Sequence, residues 1–102
     1  MELAREVLDL VIARWHPLEV WLYGSRAKGT HRPDSDWDLL VVVPDDTSPA
    51  LLDLVEAWRS TRALRPPVEV YPVRQSEFDE GKRWLGSLAQ IAVTEGHRLH
   101  VG

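Results

Sequence analysis

The chain has no cysteine, which rules out disulfide staples and thiolate metal sites. It has no surplus of positive charge. Twelve Lys and Arg stand against 16 Asp and Glu, a formal net charge of −4. With no global basic field to attract phosphates, bulk binding of DNA or RNA is disfavoured, whereas a local nucleotide site is not. Long hydrophobic runs are also missing. The longest continuous one, residues 39–43, falls far short of the ~20 residues that span a bilayer, so no membrane segment is expected. The first residues interleave acids with apolar side chains and lack the layout of a signal peptide, so the expected compartment is the cytoplasm. Repeats, linkers and low-complexity stretches are absent. At 102 residues and 44% hydrophobic, the chain reads as one domain over 1–102 with a single core.

What is present alternates between helical and extended patterns. Residues 1–16 read as an amphipathic helix with Leu3, Val7, Leu10, Val11 and Trp15 on one face, ended by Pro17. Residues 19–23 read as a first strand, 36–43 as a second and 68–73 as a third. The second is continuously apolar after Asp38, as expected of a strand covered on both faces. Residues 49–64 read as one helix, with Ser48 as N-cap and Leu51, Leu54, Val55 and Trp58 as its buried stripe. Arg59, Arg62 and Arg65 gather near its C-terminal end, where the helix dipole favours cations, and read as surface charge rather than an RNA patch. Asp45 and Asp46 read as solvated loop acids. Residues 75–82 and 87–95 read as helices around a bend, Gly96 as a helix stop, and 97–102 as a candidate edge strand. Of five tryptophans, Trp15, Trp21, Trp37 and Trp58 fall on faces expected in the core. Trp84, between glycines, is either core or an exposed partner or base-stacking surface. His16, His31, His97 and His100 lack ligand spacing, though His31 lies near the stretch described next.

That stretch is Gly24-Ser25-Arg26-Ala27-Lys28-Gly29, followed by Asp36-Trp37-Asp38. It joins the first two strands. Residues i and i+2 of a strand share a face, so Asp36 and Asp38 should project together, with Trp37 opposite. Paired carboxylates repel unless a cation lies between them. Mg²⁺, completed by substrate phosphates, is the usual solution. Gly24 allows close backbone approach to a ligand. Ser25 offers a hydroxyl and is placed to cap a short helix starting at Arg26. Helix-start N–H groups favour phosphate, and Arg26 and Lys28 add positive charge. Glu69, between two valines, is costly in an apolar strand unless partnered or turned outward. Both readings stand on the residues alone. Pro72 suggests that its strand lies near an edge.

The Gly24-Ser25 turn and the Asp36-x-Asp38 pair, at this separation, resemble the signature of the DNA polymerase β-like nucleotidyltransferases. In length the chain resembles the minimal nucleotidyltransferases of that superfamily. The resemblance implies an α/β (α+β) fold, a small mixed β-sheet flanked by helices. It also implies transfer of AMP from ATP with release of pyrophosphate. Asp36, Asp38 and Glu69 would then be the catalytic carboxylates holding two Mg²⁺ ions, and Gly24, Ser25, Arg26 and Lys28 would bind the phosphates. The third carboxylate in the family is usually aspartate; Glu69 reaches one methylene further. The resemblance further implies a HEPN-domain toxin as partner, with the acceptor a tyrosine of that partner and the chain its antitoxin, in a homo- or hetero-oligomer. Two other readings remain: a non-catalytic binding module for such a partner, and a transferase acting on a small molecule of the aminoglycoside type.

Overall fold

The computed structural model describes residues 5–99 and 101. The elements run α1 (Arg5–Trp15), β1 (Glu19–Tyr23), α2 (Ser25–Lys28), β2 (Trp37–Val43), a 3₁₀ turn (Pro49–Leu52), α3 (Leu54–Thr61), β3 (Val68–Arg74), α4 (Gln75–Gly81), α5 (Leu88–Glu95) and β4 (His97–Leu99). The strands form one mixed sheet in the order β3-β2-β1-β4. β1 is antiparallel to both β2 and β4, and β2 is parallel to β3. This is the small mixed sheet flanked by helices that the sequence led us to expect. Residue 3, assigned to the first helix, lies outside the described residues. No helix among the described residues is long and apolar enough to cross a membrane.

Period-two alternation decides which side chain meets which layer. Val20 and Leu22 of β1, Trp37, Leu39, Val41 and Val43 of β2, and Val68 and Val70 of β3 share one face. They pack with Leu8, Val11 and Trp15 of α1 and Ala57 of α3. Leu40 and Val42 turn to the other face, where Phe78 of α4 and Ala89 and Ala92 of α5 cover them, with Trp21 and Tyr23 alongside. β2 is thus central and covered on both sides, as its apolar run implied. β3 is an edge strand, in keeping with Pro72, and the chain end does add an edge strand.

Three expectations are corrected. In α1 the buried face is Leu8, Val11 and Trp15, whereas Leu10 is exposed. The expected helix over 49–64 is two pieces. Ser48 caps the 3₁₀ turn, and Asp53 then caps α3 by accepting from the N–H groups of Val55 and Glu56. The break rotates the second piece. Its inward residues are Ala57 and Thr61, fully buried, while Leu54, Val55 and Trp58 (54% exposed) face outward. Trp58 is therefore not core. Small residues at 57 and 61 let the helix backbone sit close to the sheet. Asp45, read as merely solvated, accepts a hydrogen bond from the Ser76 N–H and so supports the start of α4.

Candidate active site

β1 runs into α2 through Gly24. Its backbone, at φ 78° and ψ −157°, lies in a region that only glycine occupies comfortably. A Cβ at this position would collide with the Asp38 carboxylate. The glycine thus serves a close approach between turn and strand, not merely a bend. Ser25 is the first residue of α2 and makes no side-chain cap; Gly24 occupies the cap position instead. Gly29 closes the helix in the left-handed conformation, at φ 77°. Lys28 pairs with Glu95 of α5 at 3.2 Å, and His97 of β4 bonds through Nε2 to the Ala27 carbonyl at 3.2 Å. The turn is held from the chain's C-terminal end.

Arg26, expected to bind phosphate, is engaged by the protein itself. It is 7% exposed. Its Nε and Nη2 donate to the Ser35 carbonyl at 3.3 and 2.8 Å, and Nη2 also donates to the Pro33 carbonyl at 3.1 Å. The guanidinium lies over the Trp37 ring, 4.3 Å from its centroid. Arg26 straps the loop that delivers Asp36 onto the strand below it.

The carboxylates meet at the start of the parallel pair. Asp38 of β2 is the register partner of Glu69 of β3, and on its other side it is the partner of Tyr23 of β1. Neighbouring strands are about 4.8 Å apart. Tyr23, Asp38 and Glu69 therefore form a row across three strands, on the face opposite Trp37. Asp36 is exposed and immediately precedes β2. The Asp38 carboxyl is pushed up from the usual 3.8 to about 6. Burial is the largest cause, followed by the charges of Glu69 and Asp36 and a hydrogen bond with Glu69. Tyr23 is pushed up from 10.0 to about 12, first by burial and then by Asp38, Glu69 and Tyr71. Two carboxylates thus bear on a third that resists ionising.

An all-oxygen donor set with this mutual repulsion suits a hard divalent cation, which would relieve it. Among the described residues no three His, Asp or Glu groups converge into a ready metal cage. A cation held here would need further oxygen ligands, which Mg²⁺ habitually takes from substrate phosphates and water.

A cleft of about 560 Å³ opens at the start of β3. Asp36, Pro67, Val68 and Glu69 line it together with Trp58, Arg62 and Arg65 from the end of α3 and the loop after it. The sequence reading had Arg62 and Arg65 as surface charge and Trp58 as core. Proximity to the acids was not readable there, because it arises from the α3 to β3 crossover. Glu69 is exposed: it faces outward as the plain strand reading allowed, and it also stands beside Asp38.

A mixed four-stranded sheet carrying a glycine-bounded turn against an Asp-x-Asp strand is the polymerase β-like nucleotidyltransferase fold. The chain matches the family described as Nucleotidyltransferase domain over residues 4–94 and belongs to it. No curated protein matches the chain at a significant level. It is similar in structure to a crystal structure of a toxin-antitoxin with AMP-PNP, at 22% identity and a TM-score of 0.60, over 96% of this chain and 73% of that one. At that identity the likeness is one of fold.

Proposed function

We propose that the protein transfers AMP from ATP to a hydroxyl of a partner protein, most simply a tyrosine of a HEPN-domain toxin that it thereby silences as antitoxin. Membership of the nucleotidyltransferase family supports the reaction class. The partner rests on resemblance to the minimal nucleotidyltransferases and on the similar fold of a toxin-antitoxin structure with AMP-PNP. The observation that carries the reading is the register of Asp38 against Glu69, with Gly24 pressed against Asp38.

The roles follow from position. The turn at Gly24 and Ser25 receives the β- and γ-phosphates, since the first N–H groups of a helix lack intrahelical acceptors. Lys28, half-exposed at the end of α2, adds charge to that side. Arg26 acts on the phosphate site by holding the loop. Asp36, Asp38 and Glu69 would hold Mg²⁺, which when bound neutralises the triphosphate and lowers the pKa of an acceptor hydroxyl. Glu69, on the outer strand, faces the acceptor and takes its proton. The acceptor oxygen bonds to the α-phosphorus as the bond to the bridging oxygen breaks and pyrophosphate leaves, in line.

The test is label transfer from α-labelled ATP with Mg²⁺ to the protein encoded next to this one. Label on that protein is expected with the wild type and not with Asp36→Ala. Retained transfer in Asp36→Ala would overturn the site. A tight complex that silences the partner without ATP would instead make the chain a binding module.

A further inference from the structure

The cleft beside Glu69 is lined by two unlike sets of side chains, the acids Asp36 and Glu69 and the group Trp58, Arg62 and Arg65. The second set, which makes one wall of the proposed site, is not required by the fold. Ala57 and Thr61 do the packing of α3, and Trp58 stands more than half exposed. The Arg62 guanidinium lies 5.2 Å from the centroid of the Trp58 ring, a stacking that leaves its N–H edge open to an anion. Arg65 donates to the carbonyls of Arg62 and Leu64, which holds it at the rim. Among the described residues neither Arg62 nor Arg65 makes an ion pair, although Arg59, one turn earlier, pairs with Glu56. Two guanidiniums and an aromatic ring thus face a cleft in a chain of net charge −4.

The sheet order fixes which substrate this wall can meet. Across the sheet the sequence is Glu69 on β3, Asp38 on β2, then Tyr23 and the phosphate turn on β1. Two strand spacings, roughly 10 Å, separate the turn from Glu69. In-line displacement puts attacking and leaving oxygens on opposite sides of the phosphorus. With the leaving pyrophosphate at the turn, the acceptor enters from the cleft.

We propose that the Trp58, Arg62 and Arg65 wall is the acceptor-binding surface, and that it takes a protein segment in which acidic residues flank the acceptor hydroxyl. The inference rests on the transfer reading above and adds the acceptor's chemical class to it. Acidic flanking residues pair with Arg62 and Arg65 while the hydroxyl side chain reaches Glu69 in the same cleft. Trp58 packs against the peptide. A nucleic acid fits less well, because it carries a phosphate at every residue past Asp36 and Glu69, whereas a protein segment can confine its acids to the positions that meet Arg62 and Arg65.

The test is fluorescence anisotropy with fluorescein-labelled peptides that carry one tyrosine flanked by glutamates or by lysines, beside a short labelled RNA. The acidic peptide should bind about tenfold tighter than the basic one at low salt, and the preference should shrink as salt is added. Arg62→Glu should abolish the preference and leave binding of a non-hydrolysable ATP analogue unchanged. Trp58→Ala, which removes no packing from the core, should weaken the acidic peptide as well. Equal binding of the two peptides, or a preference untouched by Arg62→Glu, would overturn the proposal. So would RNA binding tighter than the peptide and lost in Arg62→Glu, or loss of the ATP analogue in that variant. If label transfer fails while the peptide preference holds, the transfer reading falls and the acidic-segment surface stands. If transfer succeeds while the preference is absent, this inference alone falls.

Discussion

Asp38 and Glu69 are register partners on adjacent parallel strands, and the pairing makes Asp38 hard to ionise. Its folded value of about 6 lies above the usual 3.8. Between those values the folded protein binds more protons than the unfolded chain, so this group lowers stability as pH rises from about 4 to about 6. Above both values the cost is fully present. Asp38→Asn should therefore stabilise the protein at pH 7, on the order of 1 kcal/mol after solvent screening of this half-exposed site. It should also flatten the denaturation free energy between pH 4 and 6. A variant less stable than wild type at pH 7 would contradict this. Added Mg²⁺ and ATP should raise the wild-type melting temperature more at pH 7 than at pH 5, because a cation favours the ionised form.

Gly24→Ala should destabilise by about 1–3 kcal/mol from the backbone conformation alone, and by more because the new methyl meets the Asp38 carboxylate. Chemical denaturation measures the sum. Gly29→Ala separates the two causes, since its positive φ has open space around it and should cost only the backbone part.

Arg26→Ala should cost about 2–4 kcal/mol, through lost charge-assisted hydrogen bonds to Pro33 and Ser35 and lost stacking on Trp37. Arg26→Lys should recover little of it, because an ammonium cannot bridge both carbonyls and cover the ring. Limited proteolysis should then cut within residues 30–36 faster than in wild type. If Arg26→Lys were as stable as wild type, the strap would not be the role of this side chain.

Trp58→Ala should change stability by less than about 1 kcal/mol, since the ring is largely outside the core. Ala57→Leu should cost about 1–3 kcal/mol by overpacking the contact of α3 with the sheet. Denaturation of both variants checks the corrected helix face; the opposite order would restore the face expected from the sequence.

The sheet and its acids were legible because period two is a strong signal. The run 39–43 announced a covered strand, whereas the valines on either side of Glu69 left open whether it was partnered or turned outward. The α3 face was not legible. A helix that approaches a sheet on Ala57 and Thr61 offers no hydropathy there, and the cap at Asp53 shifts the phase of everything after Ser48. The strap made by Arg26 was hidden for a different reason. A cation in a glycine-bounded turn suggests a phosphate ligand, and nothing in the sequence marks the backbone carbonyls of Pro33 and Ser35 as acceptors, since any residue at those positions supplies them. Arg62 and Arg65 reach the cleft through tertiary folding that local spacing does not encode.

β2 has one position, Asp38, that is not committed to a hydrophobic layer. Substitution elsewhere in the strand disturbs a packed layer; under the proposed function, substitution at Asp38 would be filtered by activity instead. The two kinds of selection therefore act on separate positions of the same seven-residue segment. A lineage that lost its chemistry would be free to drift at Asp38 and would gain stability by doing so, while the residues around it stayed fixed. Within β2, an inactive descendant would keep the hydrophobic ladder and differ at Asp38.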